Sequence, residues 1–349
     1  MFFSRHVLVS LVLALLPLAA FGAAAKAHAK PSRPTATDAD NSTAYKGAII
    51  VDAATGNVLF EDRADVVSPP ASMTKLMTFA VLHDKLASGA LTLQTPVTVA
   101  AADSKIGGSQ VWLKEKEVFP VEELLYAMMI HSANDAAYAL ARTAGGSVDA
   151  FVELMNAKAR ELGMTHTTFR SPHGLPPANR RIADGDLTTP RDFTLLCRYL
   201  LLKTDVLKYT SIKTRDFGRP VRATPVQMTN SDHLIGQIAG VDGLKTGFTN
   251  GAGFCLSATA QRDGRRVLVV LMGAPDSKTR DLKVAEFLAR GFAALPPGSP
   301  AFVADKSANA ARPAANAESP LSSPPAASGG GTPAASEPVI KLTIPGLKR

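Results

Sequence analysis

Cysteine is scarce in this chain, with only Cys197 and Cys255 in 349 residues. That count excludes a disulfide scaffold. Nothing in the sequence brings the two thiols together, so both are expected to be buried and free. No Cys/His spacing suits zinc, and the sequence calls for no metal and no other cofactor. Blocks of like charge are missing too. The net charge is +8, yet the basic residues are scattered, which argues against nucleic acid as a partner. A mild positive field suits an anionic polymer as well as it suits ordinary solubility. Beyond residue 22 no stretch is apolar and long enough to span a bilayer.

The one long apolar run lies at the start. Val7 to Gly22 follows Arg5 and His6 and precedes Ala23-Ala24-Ala25 and Ala27-His28-Ala29. A basic segment, a short apolar segment and small residues form the pattern of a secretory signal peptide. Pro17 and the shortness of the run argue against a membrane anchor. Residues 1–29 are therefore expected to direct export to the periplasm or cell envelope. Residues 30–43 read as a polar linker. From 296 to 349 Pro, Ala, Ser and Gly dominate. Such a tail cannot bury enough apolar area to offset its ordering entropy and is expected to be disordered. That leaves 44–295 as the structured domain, a length compatible with one large core.

Within it, strands are expected at both ends and helices between. Residues 46–52 and 57–61 read as a hairpin around Thr55-Gly56. Apolar residues recur at helical spacing after Pro69-Pro70, at Met73, Leu76, Met77, Ala80 and Val81. Further helices are expected over 121–130, introduced by Pro120, and over 135–142, 148–162 and 191–202. Residues 243–248, 254–260 and 266–272 read as strands, and 279–292 as a closing helix. The fold class is α/β in the α+β sense: an antiparallel sheet shared by the two ends, flanked by helices, with a helical subdomain.

Three short motifs carry chemistry. Ser72 and Lys75 are three apart at a helix start and share one face. A serine hydroxyl needs a base to become a nucleophile, and a lysine whose pKa is lowered by burial or a second cation can serve. Ser132 and Asn134 stand two apart between apolar helices, where a hydroxyl can pass a proton and an amide can bind a carbonyl. Lys245, Thr246 and Gly247 lie on an expected strand and supply a charge, a hydroxyl for a carboxylate and a close backbone approach. Each has a plain structural alternative: a capping serine with a surface lysine, helix capping, and an edge strand with a gatekeeper lysine. Singly they are weak, since S-x-x-K occurs roughly once by chance in a chain of this size and K-T-G in about one such chain in ten. In this order, and on these elements, they form a combined signature of β-lactamases and penicillin-binding proteins.

The chain resembles the D-alanyl-D-alanine carboxypeptidase family of low-molecular-mass penicillin-binding proteins. Ala71 to Thr78, Ser132 to Ala137, Met155 to Ala159 with Leu162-Gly163-Met164, and Val241 to Gly247 read as family text. Ser171-Pro172-His173-Gly174-Leu175 and Gly251-Ala252-Gly253-Phe254 extend it, over about residues 44–293. The resemblance implies a β-lactamase/DD-peptidase-like fold. It implies that Ser72 attacks the penultimate D-Ala carbonyl of a peptidoglycan stem peptide and Lys75 takes its proton. Ser132 then relays a proton with help from Lys245, and Asn134 binds the acyl peptide. The N–H groups of Ser72 and Phe248 hold the oxyanion. Thr246 and Arg280 hold the terminal carboxylate, although an arginine at a helix start is most often a solvated residue. His173 is read as structural. β-Lactam antibiotics are expected as covalent inhibitors. Family members often carry a β-rich second domain and an amphipathic membrane helix; a Pro/Ala/Ser tail stands there, and residues 339–349 show no convincing amphipathic helix. Ser-Ala-Asn replaces the frequent Ser-Gly-Asn. A DD-endopeptidase and a penicillin-binding sensor that hardly turns over remain as alternatives, the intact motif residues arguing against the sensor. No class A style glutamate appears in a recognisable context, so penicillin hydrolysis is expected to be slow.

Overall fold

The computed structural model describes residues 44–219 and 221–305. The expected leader and linker, and the tail from 306 on, lie outside them. The described chain runs β1 (Gly47–Asp52), β2 (Val58–Asp62), a 3-10 turn (Ala71–Thr74), α1 (Lys75–Ala87), β3 (Pro96–Thr98), β4 (Val118–Pro120), α2 (Val121–Ile130), α3 (Asn134–Gly145) and α4 (Val148–Glu161). It continues with α5 (Pro190–Lys203), α6 (Leu207–Thr210), β5 (Thr214–Phe217), β6 (Val226–Thr229), β7 (Val241–Thr249), β8 (Gly253–Arg262), β9 (Arg265–Ala274) and α7 (Ser277–Ala294). Among the described residues no helix is long and apolar enough to cross a membrane.

The strands from the two ends of the chain join in one five-stranded antiparallel sheet, in the order β2-β1-β9-β8-β7. Alternation along a strand sends successive side chains to opposite faces, and here both faces are apolar. Ile49, Val51, Leu268, Val270 and Met272 join the larger core, which also takes in α1 to α5. Ala48, Ile50, Val267, Val269 and Leu271 join a second core, closed by Val284, Phe287 and Leu288 of α7. Burial of side chains of this size stabilises the fold by roughly 1.5–3 kcal/mol each. β7, which carries Lys245 to Phe248, is left at one edge of the sheet.

Helix starts follow from local chemistry. The side chains of Ser147, Thr189 and Asp276 cap α4, α5 and α7 by accepting from Ala150, Asp192 and Thr279 backbone N–H groups. The start of α1 differs. Ser72 sits in the 3-10 turn ahead of α1, not in its first α-helical turn. Ala71 adopts φ +49° there, a left-handed conformation that an alanine takes only when its surroundings force it. Gly174 passes close against this turn: a Cβ there would lie 1.9 Å from the Ala71 carbonyl oxygen, so only glycine fits.

The strands and helices fall where the sequence puts them, with most bounds moved by one to three residues. The hairpins β3–β4 and β5–β6 were not anticipated, since strands of three or four residues are too short to show alternation. Residues 296–305, assigned from composition to the tail, lie against the body. Phe302 N–H donates to the Gly264 carbonyl at 2.8 Å, its ring takes the Arg266 guanidinium, and Asp305 pairs with Lys203. A ring contact, a backbone hydrogen bond and an ion pair together fasten this Ala/Pro-rich stretch.

Candidate active site

The 3-10 turn, the α2–α3 connection and the edge strand β7 meet around one cleft of about 470 Å³. Its walls include Ser72, Ser132, Thr246, Gly247, Phe248 and Arg280. Gly247 makes the meeting feasible. A Cβ there would lie 2.5 Å from the Pro70 carbonyl oxygen and 3.2 Å from the Met73 nitrogen. The sequence reading reserved this glycine for a ligand's approach; in the structure it admits the serine-bearing turn itself.

Lys75 is wholly buried. Its Nζ lies 3.0 Å from Ser72 Oγ, 2.7 Å from Asn134 Oδ1 and 2.8 Å from the His173 carbonyl. An amine with two hydrogens and one lone pair fits this triangle: the amide and carbonyl oxygens take the hydrogens, and the lone pair faces the serine hydroxyl. Burial holds Lys75 well below the usual lysine range, and the charge of Lys245 adds to the effect against Asp186 and Asp135. A lysine shifted in this direction is better placed to accept a proton from Ser72.

Asn134 is held at both ends of its amide. Its Nδ2 donates to the Gly107 carbonyl at 2.8 Å, which leaves one amide hydrogen for a ligand. Its own N–H donates to Ser109 O. Asp135 fixes the facing segment, accepting from the N–H groups of Val111 and Leu113. Ser132 has φ +62°, and its buried Oγ has no hydrogen-bond partner. A buried hydroxyl left unpaired in this way is available to a reacting molecule.

Lys245 is also buried, with Nζ 3.4 Å from the Thr246 carbonyl. Burial lowers it to about 8, with Asp232 opposing and Arg280 assisting. Thr246 Oγ1 shares a hydrogen bond of 2.6 Å with Ser231 Oγ. Phe248 is half exposed and stacks on Phe254 at 4.1 Å. Arg280 is 3% exposed, which removes the solvated-residue reading. Its Nε donates to Asp281 Oδ1 at 2.8 Å, while His233 Nδ1 donates to Asp281 Oδ2 at 3.0 Å. The nine residues singled out in the sequence thus converge.

Sequence reasoning missed Ser231, His233 and Asp186. Buried Asp186 accepts from the backbone of Arg170 and Ser171 and from the hydroxyls of Thr74 and Ser171. It thereby holds the loop that presents the His173 carbonyl to Lys75. No local pattern marks it, since its partners are over 10 and over 100 residues away. The His173 ring accepts from Leu175 N–H and stacks on Tyr138; burial pushes it down to about 3, so it stays neutral. Cys197 and Cys255 are buried and free. Among the described residues no cluster of His, Cys, Asp or Glu is placed to hold a metal ion.

A lysine-paired serine, a free second hydroxyl and a lysine–threonine–glycine strand thus meet around one cleft. The D-alanyl-D-alanine carboxypeptidase family matches residues 33–276. The chain belongs to this family. It is 33% identical over 247 residues to the D-alanyl-D-alanine carboxypeptidase DacF of Bacillus subtilis, covering 71% of this chain and 62% of that protein. A D-alanyl-D-alanine endopeptidase of Escherichia coli is 34% identical over 256 residues, covering 72% and 78%. The crystal structure of penicillin-binding protein D2 from Listeria monocytogenes, in its ampicillin-bound form, superposes with a TM-score of 0.63 at 30% identity. It covers 71% of this chain and 97% of that one. The chain spans about 60% of the length of the curated carboxypeptidases it matches.

Proposed function

We propose that the chain is a serine-type D-Ala-D-Ala carboxypeptidase that removes the terminal D-alanine from peptidoglycan stem pentapeptides. The observation that carries this is buried Lys75, held by Asn134 and His173 with its Nζ 3.0 Å from Ser72 Oγ. Ser72 Oγ attacks the penultimate D-Ala carbonyl carbon as its proton passes to Lys75 Nζ. The oxyanion forms against the N–H groups of Ser72 and Phe248, the latter on the open edge of the sheet. The unpartnered Ser132 hydroxyl gives its proton to the departing amine and takes in exchange the one held by Lys75, so that the C–N bond breaks and Lys75 is neutral again. Lys245 supplies positive charge beside this step. Asn134 donates its remaining amide hydrogen to the acyl peptide. Thr246 and buried Arg280 receive the terminal carboxylate. Water then attacks the ester, and its proton passes through Lys75 or Ser132 to Ser72 Oγ as the acyl–oxygen bond breaks and Ser72 is released.

β-Lactams are expected to acylate Ser72 by the same first half-reaction, and the ampicillin-bound relative supports this. The expected site of action is the cell envelope. Labelled penicillin followed by peptide mass mapping tests the nucleophile: the adduct should sit on Ser72 and be lost in Ser72→Ala. An adduct elsewhere refutes the assignment. A second reading is a DD-endopeptidase that cuts cross-links. The 78% coverage of the endopeptidase relative favours it over a distant alternative. Both reactions release an amine bearing a carboxylate, so Arg280 serves either, and the length of the leaving group distinguishes them.

A further inference from the structure

Beyond the cleft the edge strand borders a second cavity. Thr246, with Arg280, lines the cleft on the side proposed for the leaving group, and Phe248 follows beside Ser72. Past Phe248 the chain turns through Thr249, Asn250 and Gly251, which wall a cavity of about 340 Å³. The two linings are neighbours along the chain: Ala71, next to the nucleophile, and Gly174, next to the His173 carbonyl that holds Lys75, line the second cavity. An extended peptide advances ~3.3 Å per residue. One laid along β7 with its carboxylate at Thr246 and its scissile carbonyl at Phe248 brings its preceding residue to this cavity.

The lining has a definite chemical character. Leu175, Pro176, Pro177 and Ile182 supply apolar walls. Asp186 also borders the cavity, but both its oxygens are already taken by backbone and hydroxyl donors. The remaining charged group is Arg180. It stands at φ +56° in a turn fastened by Arg180 N–H to Pro177 O and by Asn179 to Asp184. Neighbouring Arg181 pairs with Asp184, whereas the Arg180 guanidinium has no ion pair or hydrogen bond among the described residues. An apolar pocket with an unpaired guanidinium on its lining suits an aliphatic side chain that ends in an anion.

We propose that this cavity is the acyl-side subsite for the residue preceding the D-Ala-D-Ala pair, and that it takes an aliphatic side chain with a terminal carboxylate, met by Arg180. The proposal rests on the D-Ala-D-Ala reading above. The test uses the full chain and two synthetic pentapeptides that differ by one carboxylate: lysine or diaminopimelate at the third position, each followed by D-Ala-D-Ala. The wild type should favour the diaminopimelate peptide about three- to tenfold in kcat/KM, the range for a partly solvated charge pair. The difference should reside in KM, as for binding that is equal in ground and transition states. Arg180→Gln should abolish the preference and Arg180→Glu should invert it, with penicillin acylation unchanged in both. Equal turnover of the two peptides by the wild type, or a preference that survives Arg180→Glu, overturns the subsite alone. Release of D-Ala from neither peptide overturns the carboxypeptidase reading, and the subsite with it.

Discussion

Replacing Gly247 by alanine adds one methyl group where the edge strand meets the serine-bearing turn. The new Cβ would lie 2.5 Å from Pro70 O, 3.2 Å from the Ala71 Cβ and 3.2 Å from Met73 N. Two of these three atoms are backbone, so no side-chain rotation relieves the clash. Reaching an ordinary C···O separation of ~3.3 Å requires β7 and the Ser72 turn to part by roughly 0.8 Å. Overpacking of this kind costs about 1–3 kcal/mol, and at ~2–4 °C per kcal/mol for a domain of this size the melting temperature should fall by about 2–12 °C. Function should suffer more, because the turn carries the nucleophile while the strand carries Thr246 and the Phe248 N–H. A misplacement approaching 1 Å costs on the order of 100-fold in rate. The assay is the second-order rate constant for acylation by a fluorescent penicillin, with a thermal melt on the same sample. Gly107→Ala is the control: its Cβ would meet nothing within 4 Å, and near wild-type behaviour is expected. If Gly247→Ala acylates within threefold of wild type and melts unchanged, the close-approach argument is refuted.

The pH dependence of kcat/KM follows from the two buried lysines. Lys75 must be neutral to accept a proton, so the rate rises as pH climbs through its pKa; burial and Lys245 place that limb below the usual lysine range. Lys245 acts as a cation, so the rate falls again as it loses its proton at about 8. A profile still rising above pH 10 contradicts both assignments, and Lys245→Gln should remove the alkaline limb. Lys75→Ala should slow acylation by about 10²- to 10⁴-fold; a wild-type rate would remove it as the base. Ser231→Ala takes away the 2.6 Å partner of Thr246 and should raise KM about tenfold, the scale of one lost hydrogen bond, with the melt little changed; an unaltered KM refutes its role in holding that hydroxyl. Trp112, the single tryptophan, is exposed with its ring 6.5 Å from that of His131, which lines the cleft. Its fluorescence should therefore shift on acylation of the wild type and not in Ser72→Ala, and no shift at full acylation counts against this placement.

The sheet was legible because its strands are long and apolar: Val267 to Met272 and the runs beside it leave little choice of state. Pairing of the two chain ends followed from there being strands at both and helices between. Seven of the nine candidate residues were legible through three motifs that each sit on a distinct element; Phe248 and Arg280 came from the family resemblance alone. What escaped notice depends on distance. Asp186 reaches Thr74 across 112 residues, Ser231 reaches Thr246 across 15, and nothing local distinguishes either from an ordinary loop residue. The purpose of Gly247 was half visible. A close approach was inferred, but its partner, the Pro70–Ala71 turn, is set by tertiary packing. Arg280 illustrates the reverse case, in which local sequence favours a surface position and the fold buries the side chain beside Asp281.

The most direct test of the central claim follows the products from two muropeptides, a monomeric pentapeptide and a cross-linked dimer, by mass spectrometry, with Ser72→Ala as the control. The account predicts release of one D-alanine from the pentapeptide by the wild type and none by the variant. Cleavage of the dimer alone would make the enzyme an endopeptidase, and a stable penicillin adduct on Ser72 without turnover of either substrate would contradict the deacylation step.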